Sequence, residues 1–264
     1  MKNKKSAEEI AQMRKQDYVT NKLLLVFTFA FIFLMYIMHL DDSKSTLEAF
    51  LALPERIKTA LWVSVGVFGA GVVWMLVEKL IFKRDTKYKL CTGLHLAVIG
   101  LFMTVCLYDL NSKLMSVGAE AFTRLYVFIP IVVILYIIYG SYQREFFFIS
   151  LASALGGVAI WNMRDYVFGD PDMLAIIAAV IIAIICAVTV WARFGNGQIN
   201  VFGKNRKITV FKSDAKYMLM YVSYIAILAL IVGAMFFAAY AMYALYAIVA
   251  YVVVMGVYYT IKLI

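Results

Sequence analysis

The chain predicts an all-α polytopic membrane protein: about eight transmembrane helices, with a small cytoplasmic β-hairpin between helices six and seven. Three observations carry this. First, the 264 residues are 64% hydrophobic with mean hydropathy +0.86, well above the roughly 45–50% of soluble domains. Second, the apolar residues fall into runs near the ~20 residues a helix needs to cross the hydrocarbon core. Third, Lys and Arg collect on alternate connections between those runs.

The elements follow in order. Residues 1–22 form an amino-terminal cytoplasmic segment, ahead of an eight-helix domain over 23–264. Ser6-Ala7-Glu8-Glu9 fits a capping box, in which the hydroxyl caps the helix start and Glu9 reaches back. A polar lead-in helix from Ala7 then runs into the first span, 23–40. That run ends in His-Leu-Asp-Asp, not in the small residues of a cleavage site, so it reads as a span. Beyond it, Leu47, Phe50, Leu51 and Leu53 suggest a short interfacial helix, with Pro54 opening the second span because proline is tolerated in a helix's first turn. Further runs cover 59–82, 90–108, 125–142, 146–163 and 173–192. Pro130, inside the fourth, removes a backbone donor and should kink that helix.

Residues 217–261 hold no charged side chain over 45 positions. A straight helix of that length would span about 68 Å at ~1.5 Å per residue, twice the ~30 Å core. The segment must fold back, and the cheapest place is near 237–241. That gives eight spans.

Between spans six and seven lies the loop 193–216. Ile199, Val201, Ile208 and Val210 alternate with Asn200, Phe202, Thr209 and Phe211 around a basic turn of Lys204, Arg206 and Lys207. A period of two is the strand signal. Two strands alone are marginal in water, so the ribbon should lean on the protein, on anionic headgroups or on a partner that adds to its edge. Lys204, Arg206, Lys207, Phe202 and Phe211 are the candidate contact residues.

Basic residues orient the chain. Of 25 Lys and Arg, six (Lys44, Arg56, Lys58, Lys113, Arg124 and Arg164) fall on the side opposite the amino terminus, leaving nineteen with it. The positive-inside bias therefore puts both termini in the cytoplasm of a multi-pass cell-membrane protein. The same bias accounts for the net charge of +9 without nucleic acid.

Ionisable groups within a bilayer are default site candidates, and here they stay near the span ends. Glu78 and His95 fall at matching inner depth on the antiparallel second and third spans, and form a candidate polar pair. Asp109 and Arg124 flank the second outer loop as a candidate outer-face pair. Small residues mark helix contacts: Gly66 with Ala70 on span two, followed closely by Gly69 and Gly71, and Ser153 with Gly157 or Ala152 with Gly156 on span five. Tyr240, Tyr243 and Tyr246 make an aromatic stripe on the last span.

No zinc, phosphate-loop or nucleophile-elbow motif occurs, and Cys91, Cys106 and Cys186 match no metal or redox spacing. No cofactor or metal is implied. The expected partners are the bilayer, anionic lipids at its inner face and a cytoplasmic or membrane protein. The function these features favour is a non-enzymatic membrane protein, permease-like or an accessory subunit of a transport assembly. A membrane-embedded enzyme acting on a lipid or isoprenoid carrier, and a sensor or scaffold without a conduit, are the alternatives.

Overall fold

The computed structural model describes residues 7–43, 47–80, 93–117, 119–163, 173–195, 197–200, 207–211 and 215–263. It holds helices α1 (Ala7–Asp42), α2 (Leu47–Leu80), α3 (Gly93–Val117), α4 (Ala119–Ser141), α5 (Arg144–Met163) and α6 (Met173–Phe194). Short strands β1 (Gln198–Asn200) and β2 (Lys207–Thr209) precede α7 (Tyr217–Phe236) and α8 (Ala241–Leu263). Among the described residues, eight helices are long and apolar enough to cross a membrane. The protein is a multi-pass membrane protein with a helical fold.

Two compact units divide the chain at Val133 and Ile134, inside α4. In the first, one apolar core joins Phe33, Ile37 and Leu40 of α1, Leu53 and Ile57 of α2, Leu107 and Leu110 of α3, and Phe122 and Ile129 of α4. In the second, α5 lies at the centre, touching α6, α7 and α8. Its most apolar stretch is 56% buried, against 11% for α2. Large apolar side chains on the outer faces, such as Phe31, Trp62, Ile184 and Val253, are exposed. Hydrocarbon is the medium that suits them.

Three boundaries differ from expectation. The interfacial helix and second span are one helix, with Pro54 inside it. Leu53 and Ile57, four residues apart and fully buried, hold that face against the core on both sides of the proline, which outweighs one missing backbone bond. The second outer loop also shrinks, because α3 runs to Val117 and α4 starts at Ala119. Leu107, Leu110 and Leu114 keep one buried stripe going past the polar residues that suggested a loop. α4 in turn continues through Pro130 to Ser141.

The fold-back of the last apolar run falls where span length demanded it. α7 ends at Phe236, Ala238–Tyr240 forms a 3₁₀ turn, and α8 begins at Ala241. The Phe237 N–H returns to the Gly233 carbonyl at 2.9 Å and closes α7. Tyr240, Tyr243 and Tyr246 are all largely exposed, with the Tyr240 ring against those of Phe237 and Tyr243.

Strand pairing among the described residues covers three positions on each side, with Ile199 opposite Ile208. The segment opens on Gly197, whose φ of 83° suits glycine. Its N–H ends α6 by bonding the Ala192 carbonyl at 2.8 Å, and its carbonyl accepts from Val210 (2.8 Å) and Phe211 (3.1 Å).

Candidate functional site

The second and third spans meet along a seam built from alternating three- and four-residue steps. Ser64, Phe68, Gly71, Met75 and Glu78 of α2 face Thr104, Gly100, Ala97 and Gly93 of α3. A Cβ added at Gly71 would come within 3.0 Å of the Ala97 backbone, and one at Gly93 or Gly100 would meet Met75 or Phe68 backbone as closely. These glycines let the two main chains touch. The spacing is that of a coiled-coil seam, and close approach is how helices associate where lipid is as apolar as leucine. Gly66 and Ala70 do not make this contact. Both are exposed, and a Cβ on Gly66 would meet nothing within 4 Å. Gly71, a single residue further on, carries the packing.

At one end of the seam the buried Glu78 carboxylate accepts the N–H of Gly93, the first residue of α3, at 3.1 Å. It therefore satisfies an orphan amide at a helix N-terminus, where a negative charge also suits the helix dipole. His95, half-buried on α3, lies within electrostatic reach of Glu78 and of Lys22 on α1. Towards the other end, the Ser64 and Thr104 hydroxyls are 3.0 Å apart. Asp109 and Arg124 are half-buried within α3 and α4, not on the loop flanks. The phenol of Tyr126 donates to the Asp41 carboxylate at 3.0 Å, joining α4 to α1.

The second unit contains a polar knot that sequence inspection passes over. Glu145, in the first turn of α5, is only 4% exposed. Its Oε2 accepts the Tyr259 hydroxyl at 3.1 Å and the Lys216 backbone N–H at 3.3 Å, with Lys262 Nζ 3.8 Å away. One carboxylate thus joins the start of α5, the start of α7 and the end of α8. Lys216 Nζ donates to the Tyr258 hydroxyl at 2.7 Å and lies over that ring. This bond to Tyr258 raises the Lys216 pKa above the ordinary lysine value.

Its neighbour Arg144 reaches the other way. Nη1 donates to the Thr209 carbonyl and, at 3.3 Å, to that of Val210. Phe211 follows, 2% exposed, with its ring against Phe148 and Tyr217. The β2 strand is therefore tied to α5 by a guanidinium and plugged into the helical core by a phenylalanine. Of the expected contact residues, Phe211 serves the core and Lys207 lies in β2. Phe202, Lys204 and Arg206 lie outside the described residues.

On α5, Ser153 is buried and bonds back to the Ile149 carbonyl at 2.9 Å. Its expected partner Gly157 is the looser position, since a Cβ there would meet only Leu245 in ordinary contact. In the alternative pair Ala152 is buried and Gly156 is the tight position, lying against the Ile227 side chain of α7. Interhelical hydroxyl bonds complete this unit: Ser223 with Tyr251, and Thr189 with Tyr224 at 3.3 Å.

Among the described residues no three His, Cys, Asp or Glu gather as a metal site. Comparison with family models, curated proteins and solved structures yields no match.

Glu145 had a signal in the sequence. Depth matching, the same logic that pairs Glu78 with His95, puts Glu145, Lys216 and Lys262 at one boundary of the fifth, seventh and eighth spans. With the fifth span read from Phe146, Glu145 falls one residue outside it.

Proposed function

We propose that the protein is a non-enzymatic accessory subunit of a membrane transport assembly. In this reading both termini and the loop 193–216 are cytoplasmic, and the basic turn of Lys204, Arg206 and Lys207 docks an acidic face of a cytoplasmic protein. The observation that carries it is the anchoring of β2: Arg144 holds the carbonyls of Thr209 and Val210 while Phe211 is buried. Anchoring β2 to the core lowers the ordering cost of binding at that strand, which is how preorganised surfaces gain affinity. The knot around Glu145 braces the helix ends beneath it. The accessory role is preferred to a permease because Gly71 and Ala97 bring the α2 and α3 backbones into contact, closing the seam where a substrate path between these spans would run.

Two measurements test this. Reporter fusions at Asn205 and at both termini should all report the cytoplasm; a split result overturns the orientation. A photoreactive residue at position 205 should give one defined protein adduct, lost on replacing Lys204, Arg206 and Lys207 with Gln. Arg144→Gln should weaken that adduct and speed amide exchange over 207–211. Adducts with lipid alone would assign the turn to anionic headgroups and remove the docking role.

A further inference from the structure

Beside the seam, within the first unit, α1 and α2 leave a laterally open groove of about 1010 Å³, floored by Met103 and Leu107 of α3. That volume is at the upper end of small-molecule sites. On α1 it extends from Phe29 to Leu40 and on α2 from Ala52 to Val63. At ~1.5 Å per residue this is about 16 Å, half of a ~30 Å hydrocarbon core and so the depth of one leaflet.

The lining is graded along that length. Phe29, Ile32 and Val63 make one end purely apolar. His39, Glu55 and Arg56 gather at the other, with Thr59 partway along and Glu55 and Arg56 exposed. The Arg56 guanidinium is within electrostatic reach of the Tyr36 phenol, another lining residue. An apolar trough one leaflet deep, ending in adjacent charges of opposite sign, has the polarity of a zwitterionic amphiphile. The groove between α7 and α8, by contrast, is lined by apolar and tyrosine side chains with no charge.

We propose that the α1–α2 groove binds one membrane phospholipid with an ethanolamine head. An acyl chain lies along the trough, Arg56 takes the phosphate and Glu55 takes the primary ammonium. Guanidinium and phosphate match as a two-pronged, charge-assisted pair. An ammonium with three N–H donors suits a carboxylate in a way that a choline head, with no N–H, does not. This site is independent of the docking turn in the other unit.

The test uses the full-length protein in nanodiscs containing equal ethanolamine, choline and glycerol phospholipids, with retained lipid counted by native mass spectrometry. The ethanolamine lipid should be enriched on the wild type. Arg56→Gln should lower retention of every headgroup about tenfold, the scale of a lost charge-assisted bond. Glu55→Gln should keep retention and erase the headgroup preference. Ala60→Trp should fill the trough and expel lipid with both charges intact, while Lys58→Gln, which removes an exposed charge outside the groove, should change nothing. Equal retention of all three lipids by the wild type, or identical behaviour of Arg56→Gln and Lys58→Gln, overturns the proposal. So does a photoreactive residue at position 63 that labels a protein chain instead of lipid.

Discussion

The two units solve the same problem by different means. In lipid, helices gain little from hydrophobicity when they associate, so backbone contact or polar bonds must hold them together. The first unit relies on contact at its α2–α3 seam: Gly71, Gly93 and Gly100 remove side chains so that main chains meet. The second relies on polar bonds around a central helix, with Glu145 bridging three helix ends and hydroxyl pairs linking α6 to α7 and α7 to α8. A seam made by missing atoms should fail when atoms are added. A knot made by a carboxylate should fail when it is removed.

Gly71→Leu is the severest test, expected to destabilise the first unit by about 3 kcal/mol or more through collision with the Ala97 backbone. Gly66→Leu, on the open face of the same helix, should stay within about 0.5 kcal/mol. Denaturant titration in bilayer discs reads both, and equal effects would dissolve the contrast between seam and face. Next comes Glu145→Ala, at about 2–3 kcal/mol, because it strands the Tyr259 hydroxyl and the Lys216 amide. Lys262→Ala should cost no more than about 1 kcal/mol, since that side chain is 31% exposed. If the lysine variant proves the worse of the two, the ion pair and not the hydrogen bonds holds the knot.

Smaller effects sharpen the comparison. Glu78→Ala should cost about 1 kcal/mol, the usual scale for losing a helix cap. Glu78→Gln keeps an acceptor for Gly93 and should recover most of it. A loss of function in the Gln variant at unchanged stability would show that Glu78 and His95 do more than cap and pack. Double-mutant cycles on Ser64 with Thr104 and on Ser223 with Tyr251 should each give about 0.6 kcal/mol. Matching values would locate the difference between the units in the glycines and Glu145, not in the hydroxyl pairs.

The helices were legible because lipid imposes a length and an apolar composition that any reader of the chain can count. Even the fold-back near Phe237 followed from arithmetic on 45 uncharged positions. Helix ends were less legible. Asp109, Asn111 and Ser112 look like a loop, yet Leu110 and Leu114 hold α3 in place from the buried side. Of the candidate sites, Glu78 and His95 were placed at one level by depth matching. Glu145 was missed because the fifth span was read from Phe146, and because its partner Tyr259 lies over a hundred residues away.

What the amino-acid order determined by itself is the membrane character of the chain and its eight apolar helices, because hydration free energy depends on local composition. Which glycines touch another backbone, which carboxylate is buried and where a lipid-sized groove opens were decided only by the packed structure. Those properties belong to pairs of helices. A single helix shows Gly66 and Gly71 as equals until its neighbour arrives.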